Sequence, residues 1–418
     1  MKRSDITLLS PAGSFAGLHA AIQGGADAVY FGVEQLNMRS RSAGNFSTRD
    51  LDHISTLCQK HKVKSHLALN TIIYDDELEM MKHLCLEAKR AGIDAVIATD
   101  VSTITFAHSI GLPVHVSTQA NISNLEAVKF YADYAEVLVL ARELTLETIS
   151  HIINEIARQN IVGPQGKLVQ IELFVHGAMC VSIAGKCYMS LAVHNHSANR
   201  GECLQNCRKR YRVIDESTDE ELILDNQFVM SPKDLCMIRY LDKLLDAGVQ
   251  VLKIEGRGRA ADYVFHTTQC YRRAIENYFD GSWDERNIEA LITQLERVFN
   301  RGFWHGGYYL GNPLGEWAGA YGSVATTQKT YLGYAVNYYA KAKIGHFILE
   351  NDGLKPGDTV AVIGPTTGYL ETAVTGLFVD DDPASSAGRG DQVTFPLGAR
   401  VRRNDKLYLI HERKHRQT

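Results

Sequence analysis

What most constrains this chain is a rhythm. Apolar runs of four to six residues recur along its first 255 positions, each followed by a longer amphipathic stretch. Ile6–Leu9, Ala28–Val33, Ser65–Asn70, Ala95–Thr99, Val114–Thr118, Glu136–Leu140, Ile171–Val175 and Val251–Glu255 are too continuous to leave one face in water, so they read as parallel strands covered on both faces. Segments such as Asp76–Ala91, and Thr48–His61 with Thr48 at its N-cap, carry helical periodicity. Eight such units predict an α/β fold, a TIM-like (β/α)8 barrel. Counting strands does not prove closure, and an open doubly wound sheet is the alternative. No glycine-rich dinucleotide fingerprint follows the first run, which argues against a Rossmann arrangement.

The rhythm breaks once. Between Gly177 and Lys233 roughly 50 residues intervene after the seventh strand, and a long insertion at a strand's end is usually functional. The expected organisation is therefore a barrel over 1–281 with a cysteine-rich insertion at 177–233. A helical and aromatic connector, 282–322, follows with a helix over Asp284–Val298. The chain closes on a small β-barrel over 323–418, suggested by β-rich segments between turns such as Lys355-Pro356-Gly357-Asp358. Of the 418 residues 45% are hydrophobic and 22% charged, as in soluble globular proteins. The apolar stretch after Met1–Asp5 is too short for a signal-peptide core. No run reaches the roughly 18 residues of a membrane span, so the expectation is a cytoplasmic protein without a membrane partner.

Three of the eight cysteines, Cys58, Cys85 and Cys270, sit in helix-like stretches and read as core. The other five fall between 180 and 236, and in a reducing compartment clustering points to metal or catalysis rather than to disulfides. Six residues separate Cys180 from Cys187, fifteen precede Cys203, and three separate Cys203 from Cys207. Four thiolates suit tetrahedral zinc or an iron–sulfur cluster. Only the second pair has knuckle spacing. Arg210 stands where a radical S-adenosylmethionine triad would need its third cysteine, and Cys236 is a candidate substitute ligand.

In such barrels the active site gathers at the C-terminal ends of the strands. Those ends hold Asn70, Gln119, Asn121, Arg142, His176, Glu255 and Arg257, with Arg39 and Arg41 in the loop after the second strand. Arginine forks suit a carboxylate or phosphate, so an anionic small molecule or nucleotide is expected there. His176 is a candidate proton shuttle, a group supporting the ligands of the cysteine cluster, or a buried histidine satisfied by a backbone carbonyl. The net charge of −4 carries no global sign of nucleic-acid binding, yet Arg208-Lys209-Arg210-Tyr211-Arg212 follows the last cysteine, and Arg208 and Arg210 are candidate phosphate contacts.

At this point the sequence resembles a known family. Glu172-x-Phe174-x-x-Gly177-Ala178-Met179-Cys180-x-x-x-x-Gly185-x-Cys187-x-Met189-Ser190 is similar at every position to the signature of the collagenase-like peptidases, family U32. The resemblance extends to Leu9-Ser10-Pro11-Ala12-Gly13, Ser117-Thr118-Gln119-Ala120-Asn121, Ser231-Pro232-Lys233-Asp234-Leu235 and Lys253-Ile254-Glu255-Gly256-Arg257.

The resemblance implies more than its name. Some members have been called collagenases, while others act in oxygen-independent hydroxylation of a tRNA wobble uridine using prephenate, of a ribosomal cytidine, or of the ubiquinone ring. By this resemblance Cys180, Cys187, Cys203 and Cys207 would hold a 4Fe-4S cluster, prephenate would be a co-substrate and tRNA the partner. A paralogous U32 partner also enters, because some members work in pairs. The closely spaced Cys203 and Cys207 and the terminal barrel resemble the tRNA-modifying branch, giving 5-hydroxyuridine formation as the expected reaction. A collagenase-like peptidase, or a non-catalytic partner of an active paralogue, are the alternatives. No His-Glu-x-x-His helix or Gly-x-Ser-x-Gly elbow supports the peptidase.

Overall fold

The computed structural model describes residues 1–40, 46–212, 214–221, 228, 230–312, 317–351 and 353–413. Its first half closes on itself. Strands β1 (Thr7–Pro11), β2 (Ala28–Phe31), β3 (Lys64–Leu69), β4 (Ala95–Ala98), β5 (Val114–Val116), β6 (Val137–Val139) and β7 (Gln170–Ala178) lie side by side in chain order, all parallel. The insertion carries a short ribbon, β8 (Ile214–Asp215) with β9 (Glu220–Glu221), and leads to β10 (Asp234–Cys236). Next comes β11 (Val251–Ile254), which pairs in parallel with both β7 and β1. That double pairing closes an eight-stranded barrel and rules out the open sheet. All eight expected runs are barrel strands.

Closure divides the side chains by alternation. Outward residues join the covering helices in the main core, while Leu9, Ala28, Tyr30, Ile97, Val137 and Val251 form a separate cluster within the barrel. Four ionisable groups, His66, His115, Glu172 and Lys253, share that interior. They set up the floor of the site described below.

Strand β7 runs past the barrel rim. Its last residues pair antiparallel with β10 (His176↔Cys236), and β12 (Phe303–His305) adds alongside β10. These short strands carry too few residues to show a period in sequence. The aromatic connector here belongs to the barrel's main core: Trp304 and Tyr309 are buried in it, and the Tyr309 hydroxyl donates to the carbonyl of Phe174 at 2.9 Å. The helix expected near 284 spans Glu285–Glu296, capped by Asp284, whose carboxylate accepts from the Asn287 amide at 2.8 Å.

The last region is an antiparallel sheet of eight strands, β13 (Thr327–Tyr339), β14 (Ile344–Leu349), β15 (Thr359–Gly364), β16 (Gly368–Ala373), β17 (Phe378–Val379), β18 (Asp382–Pro383), β19 (Gln392–Pro396) and β20 (Lys406–Glu412). It has its own core, centred on Phe347 and Phe395 stacked at 4.9 Å. Strands β15 and β16 rest on the barrel, where Ala361 and Tyr369 enter the main core.

Candidate functional site

The insertion covers the C-terminal mouth of the barrel because glycines and arginines tie it down. Gly201, at φ +80°, lies so close to the loop after β2 that a Cβ there would stand 2.2 Å from the Asn37 carbonyl oxygen. Arg200 pairs with Glu77 and donates to the Ile72 carbonyl beyond β3. Arg208 donates to the carbonyls of Met179 (2.5 Å) and Pro232 (2.8 Å) and to the Ser231 hydroxyl (3.0 Å), fastening the two ends of the insertion together.

Beneath this cover lies a cavity of about 220 Å³. Cys180, Cys187, Cys203 and Cys207 all line it, half-buried and free of disulfides. Burial pushes the Cys207 thiol up, Arg208 beside it pulls it down, and Cys180, Cys203 and Cys187 raise it further, so these sulfurs lie within one another's electrostatic reach. Among the described residues no three His, Cys, Asp or Glu side chains form a single-ion site. The donor set is four thiols lining one cavity, soft sulfur donors whose number suits zinc or the metal core of an iron–sulfur cluster, with the Arg208 guanidinium beside them to offset thiolate charge. Cys236 is fully buried on β10 and does not line the cavity; burial pushes its thiol up to about 12.

The rest of the lining is strongly basic. Seven cationic side chains, Arg39, Arg142, Arg208, Lys253, Arg257, Arg259 and Arg301, line the cavity against one lining carboxylate, Glu255. Arg39 pairs with Glu255 at 2.6 Å. Burial alone would raise the Glu255 carboxyl, but Arg39, Arg142 and Arg257 hold it down at about 2. The Arg257 guanidinium donates to the Asn37 amide oxygen at 3.0 Å. Arg142 lies over the Phe174 ring at 3.9 Å and donates to the Ala178 carbonyl at 3.4 Å, while its buried Nε has no hydrogen-bond partner. Gly177, at φ +104°, lets β7 approach β11: a Cβ there would stand 2.5 Å from the Glu255 carbonyl oxygen. Asn70 bridges the loops, accepting from the Met38 amide at 3.2 Å and donating to Gln119 at 3.4 Å.

The cavity thus gathers the four cysteines with Arg39, Asn70, Gln119, Arg142, Arg208, Glu255 and Arg257. His176 stands outside it, buried among Tyr263, Tyr271 and Phe303; burial pushes its imidazole down to about 3, and its Nδ1 lies 3.4 Å from the Tyr271 hydroxyl. Asn121 lines an adjoining cleft with Glu143 and Tyr308, which shares Cys180 and Arg142 with the cavity. Arg210 is exposed, over the Phe228 ring at 5.5 Å, and Arg41 lies outside the described residues. Sequence reasoning passed over Lys253, Tyr30, Arg259 and Arg301. Lys253 and Tyr30 were findable by alternation, each two residues before a strand end at Glu255 or Gly32.

The pattern of peptidase family U32 matches residues 13–319. The chain belongs to peptidase family U32. A Porphyromonas gingivalis protein named collagenase is 47% identical over 99% of this chain and all of its own length. A 23S rRNA 5-hydroxycytidine synthase of Escherichia coli is 34% identical over 71% of this chain and 44% of its own. The tRNA hydroxylation protein P1 of Bacillus subtilis is 27% identical over 91% of this chain and 89% of its own. Related U32 proteins thus bear the names of both peptidases and RNA hydroxylation proteins. The U32 signature residues also acquire physical roles: Glu172 is the buried partner of Lys253, Phe174 carries Arg142, Gly177 admits Glu255, and Cys180 and Cys187 face the cavity. Among the described residues no helix is long and apolar enough to cross a membrane.

Proposed function

We propose that this U32 protein is a cytoplasmic enzyme that hydroxylates a pyrimidine of RNA without molecular oxygen, acting on the wobble uridine of tRNA with prephenate as co-substrate. The observation that carries the reading is the meeting of four free thiols and an arginine-rich wall in one cavity at the barrel mouth. Cys180, Cys187, Cys203 and Cys207 would hold a 4Fe-4S cluster, which supplies redox or Lewis-acid chemistry when bound. Arg142 and Arg257 offer planar donors to the carboxylates of prephenate, and Glu255 keeps Arg39 aimed into the same space. Arg210 with its basic neighbours, and the terminal sheet, hold RNA phosphates by charge, so affinity falls as salt is added. A paralogous U32 chain is the proposed partner.

The name collagenase on a relative at 47% identity supports a second reading as a peptidase. Against it, among the described residues no histidine lines the cavity beside a serine or cysteine, and His176 is buried away from it. The test combines anaerobic purification, iron and sulfide counting, and mass spectrometry of tRNA treated with the wild type or with Cys203→Ala/Cys207→Ala. Bound iron and sulfide with hydroxyuridine formation, both lost in the variant, are expected. Hydroxylation retained by the variant removes the cluster from the mechanism, and a colourless zinc protein that cleaves gelatin replaces this reading with the peptidase.

A further inference from the structure

Below the cavity, the barrel interior holds a row of polar groups that stability alone does not explain. Lys253 donates to Glu172 at 2.6 Å; the other Glu172 oxygen lies 3.7 Å from His115 Nδ1; and the His115 and His66 rings meet at 4.4 Å. Glu172 is fully inaccessible, and the other three are at most 8% exposed. Glu172 Oε2 and His115 Nδ1 face each other beyond ordinary hydrogen-bond length, and His66 Nδ1 is buried without a hydrogen-bond partner. A buried ion pair with such gaps is commonly no more stable than well-packed apolar residues of the same volume. Only the Lys253 end of the row faces the cavity, between the rings of Tyr30 (4.8 Å) and Phe174 (5.2 Å). An ammonium carries three donors, and Glu172 takes one of them.

We propose that Lys253 is the fixed cationic donor at the floor of the cavity, binding an anionic oxygen of a small carboxylate ligand with its unspent N–H groups, and that Glu172 is a positioning residue that holds it there. The proposal rests on reading the cavity as the site of a small anionic co-substrate. Arg142 and Arg257 approach the same space from the rim. A dicarboxylate is therefore met at both ends, with the aromatic faces of Tyr30 and Phe174 between them. A single cation site from His66, His115 and Glu172 is disfavoured by the ammonium already seated on Glu172.

The experiment is calorimetric titration of the purified full chain with malonate and, separately, with prephenate. The double variant Glu172→Leu/Lys253→Met replaces the pair by apolar volume and is expected to fold; Glu172→Gln/Lys253→Met provides a second background. Both should bind malonate at least roughly tenfold more weakly than the wild type, the loss of one charged hydrogen bond. Lys253→Arg, which keeps the charge, should recover part of the affinity. Malonate binding as tight in both double variants as in the wild type overturns the proposal, and so does a wild type that binds neither ligand. Malonate binding that depends on Lys253 without prephenate binding upholds the proposal and removes prephenate from the functional reading. Prephenate binding indifferent to Lys253 does the reverse.

Discussion

A half-buried polar cluster at one place in this molecule and a fully buried one at another are built to different standards. At the junction of the barrel with the terminal sheet, Glu371 accepts from Arg297 at 2.6 Å and from Tyr369, and His266 lies 3.4 Å from both Tyr369 and Glu371. Gln294 closes on the other His266 nitrogen at 3.1 Å, and Gln23 exchanges bonds with Thr367 and Tyr369. None of these side chains carries a buried polar atom without a partner. The barrel floor leaves His66 Nδ1 unmet and holds Glu172 Oε2 and His115 Nδ1 apart at 3.7 Å. Complete satisfaction is what an architectural joint requires, because an unpaired buried group costs about 1–3 kcal/mol. A cluster left incomplete beside a cavity is the kind of exception that function explains. The same contrast separates two arginines: Arg208 spends its donors on three protein groups, while Arg142 keeps a buried Nε without a partner.

The sharpest way to break the comparison is to remove one half of the floor pair. Lys253→Met alone strands the Glu172 carboxylate at zero exposure, and the expected loss is about 3–5 kcal/mol by urea denaturation. The double change Glu172→Leu/Lys253→Met is expected to return most of it. A single variant as stable as the double one would mean that the floor holds no costly charge, and the contrast with the junction would collapse. Gly177→Ala comes next. Its Cβ would press on the Glu255 carbonyl from a left-handed backbone, so a destabilisation on the order of 1–3 kcal/mol is expected, with loss of the cavity's shape.

The sequence exposes this architecture unevenly, for physical reasons. The eight barrel strands were legible because burial on both faces leaves apolar runs such as Ala95–Ala98. Strands β10 and β12 were not, since three residues carry no period, and their place is set by an overhang of β7. The four cysteines announced themselves by clustering. Lys253 did not: one lysine inside an apolar run looks like a surface residue until closure shows which strand face turns inward. His176 illustrates the converse. Its position at the rim of β7 suggested a site residue, but the overhang turns it into the packing beneath β10, beside Tyr271.

The junction is next to be tested, by acid. Burial works against the Glu371 carboxylate, but His266, Arg297 and Tyr369 hold it down at about 2, against an ordinary value of 4.5. The unfolded chain therefore takes up this proton first as pH falls. Its stabilisation is fully present above pH 4.5 and is lost progressively as pH drops towards 2. Thermal unfolding of the wild type and Glu371→Gln across that window should show an advantage of on the order of a few degrees above pH 4.5 that vanishes near 2. A constant difference at every pH would remove Glu371 from the joint.

The smallest effect on stability is expected where the structure leaves donors unspent. Arg142 makes two long bonds, to the Ala178 carbonyl and the Met179 sulfur, and covers Phe174, so Arg142→Lys keeps the charge and gives up mainly the planar stacking and fork. Stability should change by no more than about 0.5 kcal/mol, whereas the affinity for malonate should fall several-fold. Arg208→Lys should behave in the opposite way, loosening the insertion through the bonds to Met179, Ser231 and Pro232 while malonate binding at the floor changes less. The pair of variants separates an arginine that holds the cover from one that faces the ligand. If Arg142→Lys lowers the stability markedly and leaves the malonate affinity unchanged, the orphaned Nε is a packing defect, and incomplete satisfaction ceases to mark function in this barrel.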